Sequence, residues 1–166
     1  MAVILDVNQM LYQSFEPTLE NRFILSIEGI PAYMIKSVNG IGFEQGEVMI
    51  HHINSYFKVK GGKKVWQDLT LELYDPITPS GSRTVMNWAE KHHETTTGRA
   101  GYADMYKKDF NIYTLGPVGD IVEEWLVKGS FIKSATFGNY NWETDDAARN
   151  ISMTVAMDNI IHNSFV

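Results

Sequence analysis

Cysteine is absent from this chain of 166 residues, and its absence excludes several kinds of chemistry at once. Without thiols the chain forms no disulfide, carries no thiolate nucleophile and offers no sulfur ligand to zinc or an iron–sulfur cluster. Redox chemistry therefore gives no indication of the compartment in which the protein works.

Basic residues are scarce relative to acidic ones. Fourteen lysines and arginines stand against 20 aspartates and glutamates, which gives a formal net charge of −6. This balance argues against a protein that grips phosphate backbones, because such binding is driven mainly by basic side chains.

Long apolar runs are missing as well. No stretch without Asp, Glu, Lys or Arg exceeds ten residues, whereas a membrane-spanning helix needs about 20 apolar residues. The first residues also lack the basic start and the apolar stretch of about 7–15 residues that form a secretory signal. The sequence therefore predicts neither a membrane anchor nor a secretory signal.

Alternation of apolar and polar residues predicts a chain that is rich in β-strands. The clearest case is Leu69, Leu71 and Leu73, which are separated by polar residues as in a strand with one buried face. Similar patterns predict strands at 23–27, 110–115, 121–127 and 151–157. The strand at 151–157 is predicted to be the last one in the chain. Gly-Pro-Val-Gly at 116–119 is typical of a hairpin turn between two of them.

One helix is predicted, over residues 82–93. The preceding Pro79-Ser80-Gly81-Ser82 supplies an N-cap for it. An apolar stripe recurs at helical spacing and comprises Val85, Trp88, Ala89 and His92. We expect this stripe to pack Trp88 onto the sheet.

These elements predict one domain, residues 1–166, of the mainly antiparallel α+β class. The expected architecture is a β-sandwich or barrel with a single packed helix. Residues 48–60, between two glycine-rich segments, are neither cleanly alternating nor helical. The predicted core includes Leu69, Leu71, Leu73, Trp88, Met153 and Val155.

No arrangement of residues predicts an active site. The glycines at 40, 42 and 46 have the wrong spacing for a dinucleotide-binding loop and no helix follows them, so we interpret them as a turn. Neighbouring side chains point in different directions, which disfavours metal chelation by the histidine pairs at 51–52 and 92–93. For the same reason the acidic pairs at 123–124 and 145–146 are interpreted as solvated surface. We predict no catalytic, cofactor-binding or metal-binding residue.

Charge is unevenly distributed along the chain. Four lysines surround Gly61 and Gly62 and predict a basic hairpin or loop tip; they are Lys58, Lys60, Lys63 and Lys64. Acidic residues dominate later, at 120–124 and 143–146. Two interpretations stay open. Either the charges are ordinary solvated surface, or the basic segment binds an acidic surface on another copy of the chain.

The order and spacing of these elements resemble the tail tube proteins of contractile-tailed bacteriophages. The resemblance covers about residues 21–159. It is carried by Gly61-Gly62 and Trp66, the leucine strand ending at Asp75, the helix with Trp88, and the strands at 107–115, 120–129 and 151–158. Related tube proteins of pyocins and of type VI secretion share this fold.

The resemblance implies a structural protein without enzymatic activity. Such proteins form hexameric rings whose sheets join into a continuous β-barrel, and the rings stack into a hollow tube inside a contractile sheath. The implied partners are further copies of the chain, the sheath protein, baseplate or tube-initiator proteins and the tail terminator. DNA would pass through the lumen without specific binding, in a virion tail assembled in the host cytoplasm.

The resemblance also implies roles for two segments. Residues 44–64 would be a long loop that contacts the neighbouring ring, with Lys58, Lys60, Lys63 and Lys64 meeting acidic partners. The N-terminal segment 1–20 would join subunits. Two other interpretations stay open: a tube subunit of a phage-derived secretion or bacteriocin device, and a monomeric baseplate or adaptor module.

Overall fold

A computed structural model describes residues 16–143 and 146–165 of the chain. Within them the backbone forms nine strands, two α-helices and a short 3₁₀ helix at Ala32–Met34. The strands are β1 Phe23–Ser26, β2 Ile35–Asn39, β3 Phe43–His52, β4 Ser55–Trp66, β5 Leu69–Tyr74, β6 Lys108–Leu115, β7 Ile121–Thr136, β8 Asn150–Ala156 and β9 Asn159–Ser164. The helices are α1 Gly81–His92 and α2 Ala103–Tyr106.

Seven of these strands form one antiparallel sheet that is organised around β7. The strand order is β1-β6-β7-β8-β5-β2, and β9 also pairs with β7. The first part of β7 lies between β6 and β9, and its last part pairs with β8. We call β1, β6, β9 and the start of β7 half A, and β2, β5, β8 and the end of β7 half B.

The strand β7 passes from half A to half B at Gly129. This glycine has φ +64°, a left-handed conformation that residues with a Cβ rarely adopt. A side chain there would also collide with the Asp158 carboxylate. The next residue, Ser130, is fully buried and donates its hydroxyl hydrogen bond to the Lys108 carbonyl. Glycine therefore permits the crossover that lets one strand serve both halves.

The core lies between the two halves of the sheet and helix α1. Leu69, Leu71 and Leu73 of β5 are completely buried, and Met153 and Val155 of β8 pack beside them. Burying such side chains stabilises the fold by about 1.5–3 kcal/mol each. Trp88 joins the same core from α1, and its indole Nε1 donates to the Tyr106 carbonyl at 2.8 Å. All six side chains predicted from the sequence as core thus lie in this cluster: Leu69, Leu71, Leu73, Trp88, Met153 and Val155.

The predicted mainly antiparallel α+β class is confirmed, whereas the described strands do not close into a barrel. The predicted helix occurs at Gly81–His92, and the Ser80 hydroxyl accepts a hydrogen bond from Arg83 N at 3.3 Å as its N-cap. The turn at 116–119 joins β6 to β7 as predicted. Most of the N-terminal segment 1–20 lies outside the described residues.

Three elements depart from the sequence prediction. The strand at 151–157 is not the last, because β9 follows it and pairs with β7. The short strand β2, which the sequence pattern does not predict, pairs with β5 and is the edge strand of half B. The helix α2 is a single turn whose residues are largely exposed.

Candidate assembly surfaces

Strands β3 and β4 form a long hairpin that stands off the rest of the fold. They pair only with each other, and every residue of β3 is exposed. Residues 44–64 are therefore a two-stranded ribbon and not the loop that the resemblance implied. Its turn lies at Ile53 and Asn54. An isolated ribbon of this kind is only marginally stable in water, so it is a candidate for contact with another molecule.

Gly61 and Gly62 lie within β4 and do not form the predicted basic tip. The register of the hairpin shifts between Gln45 and Glu47, opposite this glycine pair. A Cβ at Gly61 would come within 2.8 Å of the Val48 side chain, so glycine permits the close approach of the two strands. The four lysines are consequently spread along one strand.

Between the register shift and the turn, the hairpin has one apolar face. Val48 is opposite Val59, and Ile50 is opposite Phe57, so their four side chains lie on the same side of the ribbon. Each is between 40% and 50% exposed. The other side carries Glu47, Met49, His51, Tyr56, Lys58 and Lys60. We call the first set the apolar hairpin face; contiguous exposed apolar surface of this kind marks interaction sites.

The lysines of β4 have different surroundings. Lys58 pairs with Glu47 across the hairpin at 2.6 Å. The Lys64 ammonium lies 3.9 Å from the ring centroids of both Phe43 and Trp66, a cation–π arrangement. Lys60 and Lys63 are exposed and have no acidic partner among the described residues. The last two are the lysines most available to a second molecule.

The root of the hairpin is fixed to the sheet by hydrogen bonds. The Trp66 indole donates to Asn159 Oδ1 at 2.9 Å, and Gln67 N donates to the Gly42 carbonyl at 2.9 Å. The Gln67 side-chain amide donates to Glu44 at 3.1 Å. The first contact ties the end of β4 to the start of β9, and the two Gln67 contacts join the two ends of the hairpin to each other.

The two ends of half B carry different structures. The hairpin leaves after Asn39 of β2 and returns at Leu69 of β5, so it belongs to one end. The loop at 75–80 and the irregular segments 137–143 and 146–149 follow Tyr74 and Thr136, at the opposite end of the same antiparallel strands. A strand of six residues separates the two ends by about 20 Å.

Large apolar side chains are exposed at this second end. Ile77, Tyr140 and Trp142 are between 84% and 101% exposed. Ile77 and Tyr140 line one open depression of about 500 Å³. Glu143 and Asp146, on the segments between β7 and β8, are exposed. We call these five residues the loop-end surface.

A buried carboxylate anchors the loop-end surface. Asp75 accepts hydrogen bonds from Ser82 N at 3.1 Å, from the Ser82 hydroxyl at 2.7 Å and from the Arg149 guanidinium. Burial alone would raise the pKa of Asp75, but these hydrogen bonds outweigh it and hold the pKa below its ordinary value. Arg149 also donates to the Tyr140 hydroxyl and lies over its ring. Tyr140 is thereby held in place from beneath.

The outer face of half B is covered with small polar side chains. Because alternate residues of β5 and β8 are buried, the intervening ones point away from the core. Paired residues form two rows across the four strands: Asn39, Thr70, Thr154 and Ser134, and then Ser37, Glu72, Ser152 and Thr136. The acid among them, Glu72, pairs with Lys36 at 3.3 Å. We call these rows the hydroxyl face; it is close to neutral.

One of the two acidic pairs seen in the sequence, at 123–124, makes structural contacts. Glu124 accepts from Asn111 and from Asn163, each at 3.1 Å, and Glu123 lies 3.7 Å from His162. Asp146 is exposed, and its neighbour in the sequence pair lies outside the described residues. Among the described residues, no three potential ligands are grouped as a metal site would require, and no helix is long and apolar enough to cross a membrane.

No protein-family model matches this sequence, and no functionally characterised protein is significantly similar to it in sequence. Solved structures do share the fold. The tube-terminating cap of the anti-feeding prophage (AFP) aligns with a TM-score of 0.72 at 16% identity, over 96% of this chain and 99% of that chain. A chain of the sheath–tube complex of the extracellular contractile injection system PVC gives 0.68 at 19% identity, over 97% and 99%. Hcp1 from Flavobacterium johnsoniae gives 0.52 at 9% identity, over 86% and 94%.

These likenesses extend over nearly the whole of each chain. At such low sequence identities these likenesses establish the fold of the chain but not its partners or its cargo. The chain has the fold of tube and cap proteins of contractile injection systems, as its resemblance to tail tube proteins predicted.

Proposed function

We propose that this chain is a structural subunit of the hollow inner tube of a contractile injection apparatus. The observation that carries the proposal is the fold match to tube and cap chains over more than nine-tenths of their length and of this chain. The chain acts without catalysis in this role. Copies assemble into hexameric rings that stack inside a contractile sheath, between a baseplate or tube initiator and a terminator.

The free-standing hairpin supports self-assembly. Its apolar face is exposed in the single subunit, and burying it against another copy removes that surface from water. In this proposal residues 44–64 connect one ring to the next, with Lys60 and Lys63 meeting carboxylates there. Segment 1–20 joins subunits, and the open margins of the sheet pair within a ring, which removes the exposed strand edges.

The hydroxyl face is our candidate for the lumen wall. Assembly buries apolar surface, so the wide neutral polar face of half B is suited to stay in water. Such a wall offers no row of cations to hold phosphates, and six copies at −6 give each ring a net charge of −36 (6 × 6). Phage DNA would pass through without specific binding, in a virion tail that is assembled in the host cytoplasm.

A single cysteine tests the position of the hydroxyl face, because the natural chain has none. In assembled tubes, Thr154→Cys is expected to react with a small maleimide but not with one carried on a 40-kDa polymer. The matched control is Arg83→Cys on the exposed side of α1, which should react with both reagents. Equal labelling of both positions by the large reagent would exclude the hydroxyl face as lumen wall.

Electron microscopy and sedimentation across a concentration series test the proposed function itself. Tubes or stacked rings of the purified chain are the expected result. Single rings that do not grow would favour a second candidate, a tube-terminating cap, which the match to the AFP cap supports. A monomer that stays unassembled even with baseplate extract would favour an adaptor module. A tube from a phage and one from a phage-derived injection device give the same images. The genes beside the one that encodes this chain distinguish the two.

A further inference from the structure

The hairpin and the loop-end surface are at opposite ends of the same four strands. The hairpin leaves half B beside Asn39 and Leu69, whereas the loops with Ile77 and Tyr140 begin beside Tyr74 and Thr136. Two different surfaces at opposite ends allow one copy to contact the next in a repeating head-to-tail manner. A surface that paired with itself would stop at two copies.

The two surfaces are complementary in charge. Strands β3 and β4 contain four lysines and two glutamates, a net charge of +2 (4 − 2). At the loop-end surface Glu143 and Asp146 are exposed, while the nearby Arg149 is occupied by Asp75. Opposite charges of this kind steer association and select one docking arrangement.

The two surfaces are also complementary in their apolar groups. The apolar hairpin face presents branched and aromatic side chains, and the loop-end surface offers an open depression between Ile77 and Tyr140. The Asp75–Arg149 contact holds Tyr140 in place before any partner arrives. A surface that is ordered beforehand loses less conformational entropy when it binds.

We propose that the hairpin of one copy docks onto the loop-end surface of the next copy. Side chains of the apolar hairpin face enter the depression beside Ile77 and Tyr140, and Lys63, beyond the register shift, faces Glu143 and Asp146. This inference rests on the proposed function and names the surface that receives the hairpin.

Two complementary variants test this arrangement. Phe57→Asp with Val59→Asp damages the hairpin, and Ile77→Asp with Trp142→Asp damages the loop-end surface at two almost fully exposed positions. Each variant alone should need about a hundredfold more protein to stack. Rings formed separately from each variant and then mixed in equal amounts should form pairs and nothing longer, because each kind of ring retains one intact surface. Val118→Asp, equally exposed in the turn between β6 and β7, is the control and should assemble like the wild type.

Chemical cross-linking gives a second readout. Chains with Val59→Cys and chains with Ile77→Cys should be joined to each other by a short bis-maleimide when mixed, and far less within either preparation alone. If the wild type forms tubes and the loop-end variant forms them equally well, this inference fails and the proposed function stands. If the wild type never assembles and no cross-link forms, both fail.

Discussion

A subunit carrying Phe57→Asp and Val59→Asp is expected to stay unassembled at concentrations where the wild-type chain forms tubes. Both side chains belong to the apolar hairpin face and are about half exposed in the single subunit. Each substitution removes apolar area from the contact and requires a carboxylate to lose water there. A loss of about 3 kcal/mol per contact corresponds to more than a hundredfold in affinity. Sedimentation velocity with electron microscopy measures the effect.

The opposite face of the same strands provides the matched control. Met49→Asp with Tyr56→Asp introduces the same charges at similar exposure, but on the polar side of the hairpin. This control should assemble at concentrations near those of the wild type. Circular dichroism and thermal melting should be unchanged in both variants, because the hairpin contributes little to the core. Equal defects in the two variants would show that assembly depends on the ribbon as a whole and not on its apolar face.

The part of the fold that could be predicted from the sequence is the part with regular burial. Leu69, Leu71 and Leu73 alternate strictly because one face of β5 is buried along its whole length. Helix α1 shows its period because Val85 and Trp88 face the same core. Where successive turns of a helix or alternate residues of a strand face the same core, their burial produces a regular spacing of apolar residues in the sequence.

The hairpin could not be recognised because nearly all of its residues are exposed, so no buried face imposes a regular period on its sequence. Phe57 and Val59 do alternate with Lys58 and Lys60, but Met49 lies on the polar side and the register shifts at Gly61. The strand β9 was missed for a related reason. Of its adjacent isoleucines, Ile160 is buried and Ile161 is exposed, which conceals the period.

The loop-end surface left no signal in the sequence. Ile77 and Tyr140 are 63 residues apart (140 − 77), and they meet only because β5 and β7 end on the same side of half B. The lysine cluster shows the reverse. Four lysines that are close in sequence have different surroundings once they lie along a strand, since Lys58 pairs with Glu47 and Lys64 packs on aromatic rings. A site whose residues are far apart in the sequence can be located only when the strand order is known.

Replacing Asp75 with alanine is expected to lower the free energy of unfolding by about 2–4 kcal/mol. The Asp75 side chain is 2% exposed and accepts three hydrogen bonds from Ser82 and Arg149. Alanine leaves the donors at the start of α1 without their acceptor. Asp109→Ala is the control, because Asp109 also accepts two hydrogen bonds, from Lys128 and Gly129, yet its side chain is 51% exposed. Its cost should stay below about 1 kcal/mol. Urea denaturation at pH 7 measures both, and equal losses would contradict the role of burial.

The charge of Asp75 makes part of this stability depend on pH. Its pKa in the folded chain lies below the ordinary value of 3.8, so the stabilisation is complete above that value and is lost as the pH falls through the folded pKa. The difference in unfolding free energy between the wild type and Asp75→Asn should therefore shrink below about pH 4. The other carboxylates are present in both chains, so their own titration cancels in this difference. A difference that stays constant down to pH 2 would show that the charge contributes nothing. Because Arg149 also holds Tyr140, losing that charge should loosen the loop-end surface together with the start of α1.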